Sequence, residues 1–415
     1  METARADSYL PLGIRILLRL LTLAAAGLAL WFVVAVTTAG VFRERAPAWA
    51  LRFVPFDARA QATLAERMLA PGRNRAGPRR VRALAAAALQ RDPTAVDGAT
   101  ALGISFALTG DAVRAERAFA YASRLSRRDV PTQLWLIERS VQRNDIAGAL
   151  SHYDPVLRTS PAMHTILFPI LTNASAEPLV ANELNRMLRG RPNWRPDFLS
   201  ALLTGQYDPA ALYTVTRGLL TPADTREREQ LGLLFKRLTE RQAFDLAWRA
   251  YLAALPERRS GGPGLWNGDF AQEPAIGPFD WSFPEDPALA PERRPLGPAG
   301  GFALYLPAGV TSDVEVARQL VRLEPGRYAV SARVGNVSGD EAVRPRLVVR
   351  CAQEPQPELT RADFPTATEG GRSFTATVEI PAACRYQWIS VWVRGSFDQQ
   401  LSETPWISSI RIREL

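Results

Sequence analysis

An echo at a spacing of about 34 residues constrains this chain more than any other feature. Between Ala101 and Ala122, small, aromatic and turn residues stand at Leu102, Gly103, Phe106, Gly110, Asp111, Ala115, Phe119 and Ala122. A shift of 34 lands on Asn144 and Asp145 for the turn, Ala149 for a close helix contact, Tyr153 for the aromatic and Pro161 for a terminating proline. Pro93 holds that terminating place earlier in the chain. Self-similarity at this period marks paired helices. One pair cannot bury its apolar side alone, so neighbours must stack.

The same spacing predicts antiparallel helix pairs at 57–69 with 78–89, 96–109 with 112–125, and 131–143 with 146–157. Looser pairs follow at 161–171 with 178–188, 196–203 with 209–219, and 223–239 with 242–255. In the last pair Ala247, Tyr251 and Ala254 repeat the small, aromatic, small steps of Ala115, Phe119 and Ala122. These positions resemble those of tetratricopeptide (TPR) repeats. The resemblance covers residues 43–256 and implies an α-helical solenoid whose concave groove takes a protein partner. The alternative is a spacer that holds the C-terminal region away from a membrane.

Residues 20–42 run for 23 positions without a charge, bracketed by Arg15 and Arg19 before and by Arg43, Glu44 and Arg45 after. At about 1.5 Å per residue a helix of this length crosses the hydrocarbon of a bilayer. Cleaved signal sequences have apolar cores of roughly 7 to 15 residues, so the run reads as a single transmembrane anchor. The flanking arginines do not fix its orientation. A short tail, 1–19, before a long translocated body is the common use of such an anchor. The expected location is therefore the inner, cytoplasmic membrane, single-pass, with the tail cytoplasmic and the main body periplasmic.

The net charge is +8, but residues 261–415 carry 15 basic and 19 acidic residues, which leaves 35 and 23 for residues 1–260. The two parts thus stand at −4 and +12. Lys236 is the only lysine, so the excess reads as arginine spread over solvated helix faces. No compact basic cluster interleaved with aromatics is present, which argues against nucleic acid as a partner.

Arginine, glycine and proline at 257–264 mark a linker. Beyond it the period becomes two, and strands are expected at 302–306, 314–323, 327–334, 346–351, 373–380, 387–393 and 406–412. Seven short strands separated by turns make an antiparallel β-sandwich over 265–415. The fold class is therefore multidomain, α plus β. Cys351 and Cys384 lie 33 residues apart in this domain, Cys351 on one of these strands and Cys384 just ahead of another. In an oxidising compartment they would pair and contribute roughly 3 to 4 kcal/mol through the denatured state; in the cytoplasm they would be two buried thiols.

Leu265-Trp266-Asn267-Gly268-Asp269-Phe270, followed by Phe279-Asp280-Trp281, resembles the opening of jelly-roll carbohydrate-binding modules. Leu323-Glu324-Pro325-Gly326-Arg327-Tyr328 is similar to their turn before a central strand. The resemblance implies glycan binding, with Trp266, Asn267, Asp269 and Trp281 as candidates. Trp388 and Trp392 share one face of a strand, where a core role is expected. The family often carries a calcium-holding aspartate on its closing strand, where this chain has Ser408 and Ser409, so calcium is not expected.

His152 and His164 are the only histidines, and each reads as a packing or surface residue. No GxSxG, Walker A, HExxH or dinucleotide-binding pattern occurs. No catalytic residue, metal or cofactor is expected. The resulting expectation is a non-enzymatic, membrane-anchored adaptor in which the helices dock a protein and the sandwich holds a polysaccharide, serving envelope polysaccharide assembly or export. A carbohydrate-active enzyme with carboxylates in the sandwich and a purely structural envelope protein are the alternatives.

Overall fold

The computed structural model describes residues 12–69, 77–255, 264–274, 276–297, 301–395 and 404–415. Fourteen α-helices come first, then nine β-strands, among the described residues. A long apolar helix, α1 (Leu12–Phe42), leads into short α2 (Pro47–Phe53). Helical pairs then follow: α3 (Ala58–Arg67) with α4 (Pro78–Arg91), α5 (Val96–Ala107) with α6 (Ala112–Leu125), and α7 (Val130–Gln142) with α8 (Ile146–Thr159). The remaining helices are α9 (His164–Ala174), α10 (Pro178–Arg189), α11 (Arg195–Thr204), α12 (Pro209–Thr216), α13 (Thr225–Glu240) and α14 (Phe244–Ala254). The predicted helices 57–255 all form. Helix α2, about two turns long, is too short for periodicity to reveal.

Local chemistry sets the helix starts. Asp57, Asp111, Asp129, Asp145, Asp208 and Asp224 each sit at an N-cap and accept the backbone N–H three residues on. Each such cap satisfies one of the orphan donors of the first turn. Between α7 and α8, Asn144 takes a left-handed φ of 56°, the place Gly110 fills at 77° one repeat earlier.

Small residues then let the pairs close. Ala115, Phe119 and Ala122 on α6 are fully buried. A Cβ on Gly103 would stand 2.9 Å from the Phe119 ring, so only glycine admits that ring. Trp135 of α7 stacks on Phe119 with ring centroids 4.4 Å apart. Ala149 and Tyr153 of α8 are buried likewise, whereas Leu102 and Ala254 are half-buried.

The chain divides into two compact units, 1–164 and 165–415. This differs from the division expected at 257–264, a segment that lies, apart from Gly264, outside the described residues. The last helices belong with the sandwich for a physical reason. Phe279, ahead of the first strand, is enclosed by Phe235 of α13 and by Trp248 and Tyr251 of α14, with centroids 5.9, 5.3 and 4.8 Å away. Phe244 stacks on Tyr386 at 5.4 Å, and the Tyr386 hydroxyl donates to Asp245 at 2.8 Å. Burial first, and the Asp245 carboxylate next, hold that hydroxyl far above the ordinary phenol range.

The sandwich pairs a five-stranded sheet with a four-stranded one, all antiparallel. The first has the order β1 (Glu292–Pro295), β2 (Phe302–Tyr305), β9 (Trp406–Glu414), β4 (Gly326–Gly335), β7 (Arg372–Ile380). The second has β3 (Val314–Val321), β8 (Gln387–Val393), β5 (Arg346–Cys351), β6 (Glu358–Asp363). All seven expected strands form. The two additional ones, β1 and β6, are sheet edges with the polar sequences ERRP and ELTRAD, which show no apolar alternation to read. Phe270, Trp281, Val316, Val330, Ile389 and Ile407 are among the residues filling the space between the sheets. Cys351 and Cys384 are joined, with Cα atoms 5.6 Å apart.

Candidate functional site

The outer face of the four-stranded sheet carries the most distinctive side chains of the second unit. Along β8, Ile389, Val391 and Val393 point into the core. Alternation therefore turns Trp388, Ser390 and Trp392 outward. Both rings are half-buried, so the core role expected for Trp388 and Trp392 is corrected. The inward positions were already filled by β-branched residues, and that pattern, Gln-Trp-Ile-Ser-Val-Trp-Val, is the signal that could have placed the rings outside.

Register brings charged partners to these rings. Arg318 of β3 lies opposite Ser390, and Arg346 and Arg350 of β5 lie opposite Trp392 and Trp388. The Arg318 guanidinium stands 4.7 Å from the Trp388 ring, and that of Arg350 stands 5.0 Å from Trp392. Glu315 joins the two arginines at 3.3 and 3.5 Å. The Trp392 indole N–H donates to Ser390 Oγ at 2.9 Å. The result is a ladder of flat rings and fixed guanidinium donors along one sheet.

At its Trp388 end this face opens into a cleft of about 560 Å³ bounded by α13. Lys236 and Glu240 line one wall, and Phe283, Glu285, Arg318 and Trp388 line the other. Aromatic faces suit the C–H surfaces of a sugar ring, and interleaved cations and carboxylates suit its hydroxyls.

The four residues proposed from the module's opening motif differ in exposure and in the bonds they make. Trp281 is 2% exposed, and its N–H donates to Asn267 O at 3.0 Å, so its ring offers no face to a ligand. The Trp266 backbone is clamped by Gln319, which accepts from its N–H at 3.0 Å and donates to its carbonyl at 2.9 Å. Asn267, at φ 51°, exchanges two side-chain hydrogen bonds with the Gln272 backbone, and Asp269 accepts from Ala271 N–H. Gln319 thus fastens the Trp266 backbone to β3, while Trp266 and Asn267 are half-buried and Asp269 is exposed. Trp406, like Trp281, is buried, against Gly335 and Gly371.

The first unit has its own polar cluster. Thr63 donates to Asp97 at 2.7 Å and Thr100 donates to Asp129 at 2.9 Å. Burial, then the carboxylates of Asp97 and Asp129, raise the Glu66 pKa to about 7, with Arg67 opposing. His152 shares a hydrogen bond with Gln133 at 2.8 Å, and burial keeps its pKa below the ordinary value. His164 bonds the Leu157 carbonyl. Both histidines are packing residues. Among the described residues no group of three or more His, Cys, Asp or Glu is placed to hold a metal.

No family model matches the sequence, and no curated relative does. The sandwich is similar to a CBM4 module at 16% identity over 36% of this chain and 99% of that one, with a TM-score of 0.25. It is also similar to TmCBM61, solved with β-1,4-galactotriose, at 15% identity over 37% and 100%, TM-score 0.27. The helices are similar to a chain of the Naa15/Naa10–HypK complex at 18% identity over 55% of this chain and 37% of that one, TM-score 0.26. Scores of this size carry no argument about this chain. The architecture itself stands on the structure: an apolar N-terminal helix, a helical repeat array and a two-sheet antiparallel sandwich.

Proposed function

We propose that this chain is a non-catalytic, membrane-anchored adaptor whose sandwich binds a polysaccharide on the outer face of the four-stranded sheet and whose α3–α8 array docks a protein partner, with its body in the periplasm. One observation carries the glycan part: Trp388 and Trp392 project from a single strand, each beside an arginine, and Trp388 borders a cleft large enough for sugar units. The disulfide supports an oxidising compartment. The acidic cluster of Glu66, Asp97 and Asp129 supports a basic segment on the docking partner. Envelope polysaccharide assembly or export is the setting that suits both modules.

Affinity electrophoresis of the full-length protein through gels containing neutral or acidic polysaccharides tests this reading. Retardation by at least one of them, with no new reducing ends after prolonged incubation, is the expected result. Migration unaffected across the panel defeats the glycan assignment, and release of reducing ends defeats the non-catalytic one.

A further inference from the structure

Helix α1 does not end in a free tether. Its last turns share a core with the first helices: Ala39 of α1, Ala50 of α2 and Ala60 of α3 are each at most 1% exposed, with Leu51, Phe53 and Val54 packed around them. Arg43, just past α1, forms an ion pair with Asp57 at 3.0 Å, and Asp57 also caps α3. Arg67 of α3 reaches back to the carbonyls of Glu44 and Arg45. Removing α1 would uncover these alanines and strip the connection of its anchor point.

The opposite side of this joint is turned outward and is apolar. Trp49 is 54% exposed and Phe56 64%. Trp49 lies between Phe42 and Phe53, with centroids 6.5 and 6.2 Å away. The Arg52 guanidinium stands 5.5 Å from the Trp49 ring. The Trp49 ring continues the apolar surface of α1, whose Val41 and Phe42 are exposed. Aromatic rings with arginines are what a protein presents at the boundary between hydrocarbon and headgroups, where the ring is half-dissolved and the guanidinium meets phosphate.

We infer that α1 is retained in the mature protein as part of the fold, and that Phe42, Trp49 and Arg52 form an apron seated in the headgroup layer of the membrane that α1 crosses. The inference rests on α1 spanning that membrane. Helix α2 then lies along the surface, and the first helical pair is held against it.

Two measurements test this on the full-length protein. Intact mass of the protein purified from envelopes should include residues 1–42; a species lacking α1 overturns retention. For the apron, the protein is reconstituted into vesicles whose lipids carry bromine near the headgroup. Trp49→Phe should remove one tryptophan's share of the quenched fluorescence, and unchanged quenching overturns the apron. Trp31, 61% exposed on α1, separates the two failures through a Trp31→Phe variant in vesicles brominated deep in the chains. If that variant also leaves quenching unchanged, the span itself fails; if it lowers quenching while Trp49→Phe does not, the apron alone falls.

Discussion

Phe119 and Tyr251 hold the same place in the repeat pattern, yet they meet different partners. Phe119 packs against Gly103 of its own pair and Trp135 of the next. Tyr251 has no further helical pair to meet, and Phe279 of the sandwich fills that side at 4.8 Å. The repeat position thus encodes a demand for an aromatic neighbour, and either the next repeat or a different domain can meet it. The sandwich acts as the cap that a solenoid's terminal pair requires.

The sharpest way to break the comparison is to truncate each ring. Phe119→Ala should cost about 3 to 5 kcal/mol and lower only the first unit's melting transition. Tyr251→Ala should cost a similar amount and lower only the second's, in scanning calorimetry of the full chain. A Tyr251→Ala effect confined to helices, with the sandwich strands unaltered in hydrogen exchange, would show that the cap is not shared. Next in size, replacing both Cys351 and Cys384 with serine should remove roughly 3 kcal/mol from the second unit and leave the first unchanged.

Trp388→Ala should weaken polysaccharide binding by about 2 kcal/mol, near thirtyfold, as truncation of a central aromatic contact does. Its melting temperature should stay near that of the parent, because the ring lies outside the core. Tyr386→Phe removes one hydrogen bond to Asp245 and should cost about 1 to 2 kcal/mol, read as faster hydrogen exchange in α14. At Glu66 the effect is set by pH. Its folded pKa of about 7 lies above the ordinary 4.5, so the folded chain holds this proton more tightly than the unfolded one. Stability is full below about pH 4.5 and falls as pH rises from there to about 7. Glu66→Gln should therefore raise the melting temperature above pH 7 and have no effect below pH 4.5.

The helical half was legible because its packing is local. Asp111 and Asp145 mark caps, Gly110 and Asn144 mark turns, and Ala115, Phe119 and Ala122 recur at fixed steps that one pair of helices dictates. The seam at Phe279, Tyr386 and Asp245 was not legible. It joins residues 141 apart in sequence by one hydrogen bond, and no periodicity records such a pairing. The outward face of β8 was not legible for a related reason. Trp388 and Trp392 sit on a strand whose two faces both carry apolar residues, so alternation alone does not say which face is interior. Which side of a sheet is the inside depends on where the other sheet lies, and β7 and β9 supply that only after folding.

The buried alanines shared by α1, α2 and α3 bear on mechanics. A tether joined by a floppy segment would let its cargo sweep a hemisphere above the attachment point. With α1 as the proposed stem, the shared core would join it and the first helical pair into one lever, and the tilt of the stem would aim the α3–α8 array within a narrow cone.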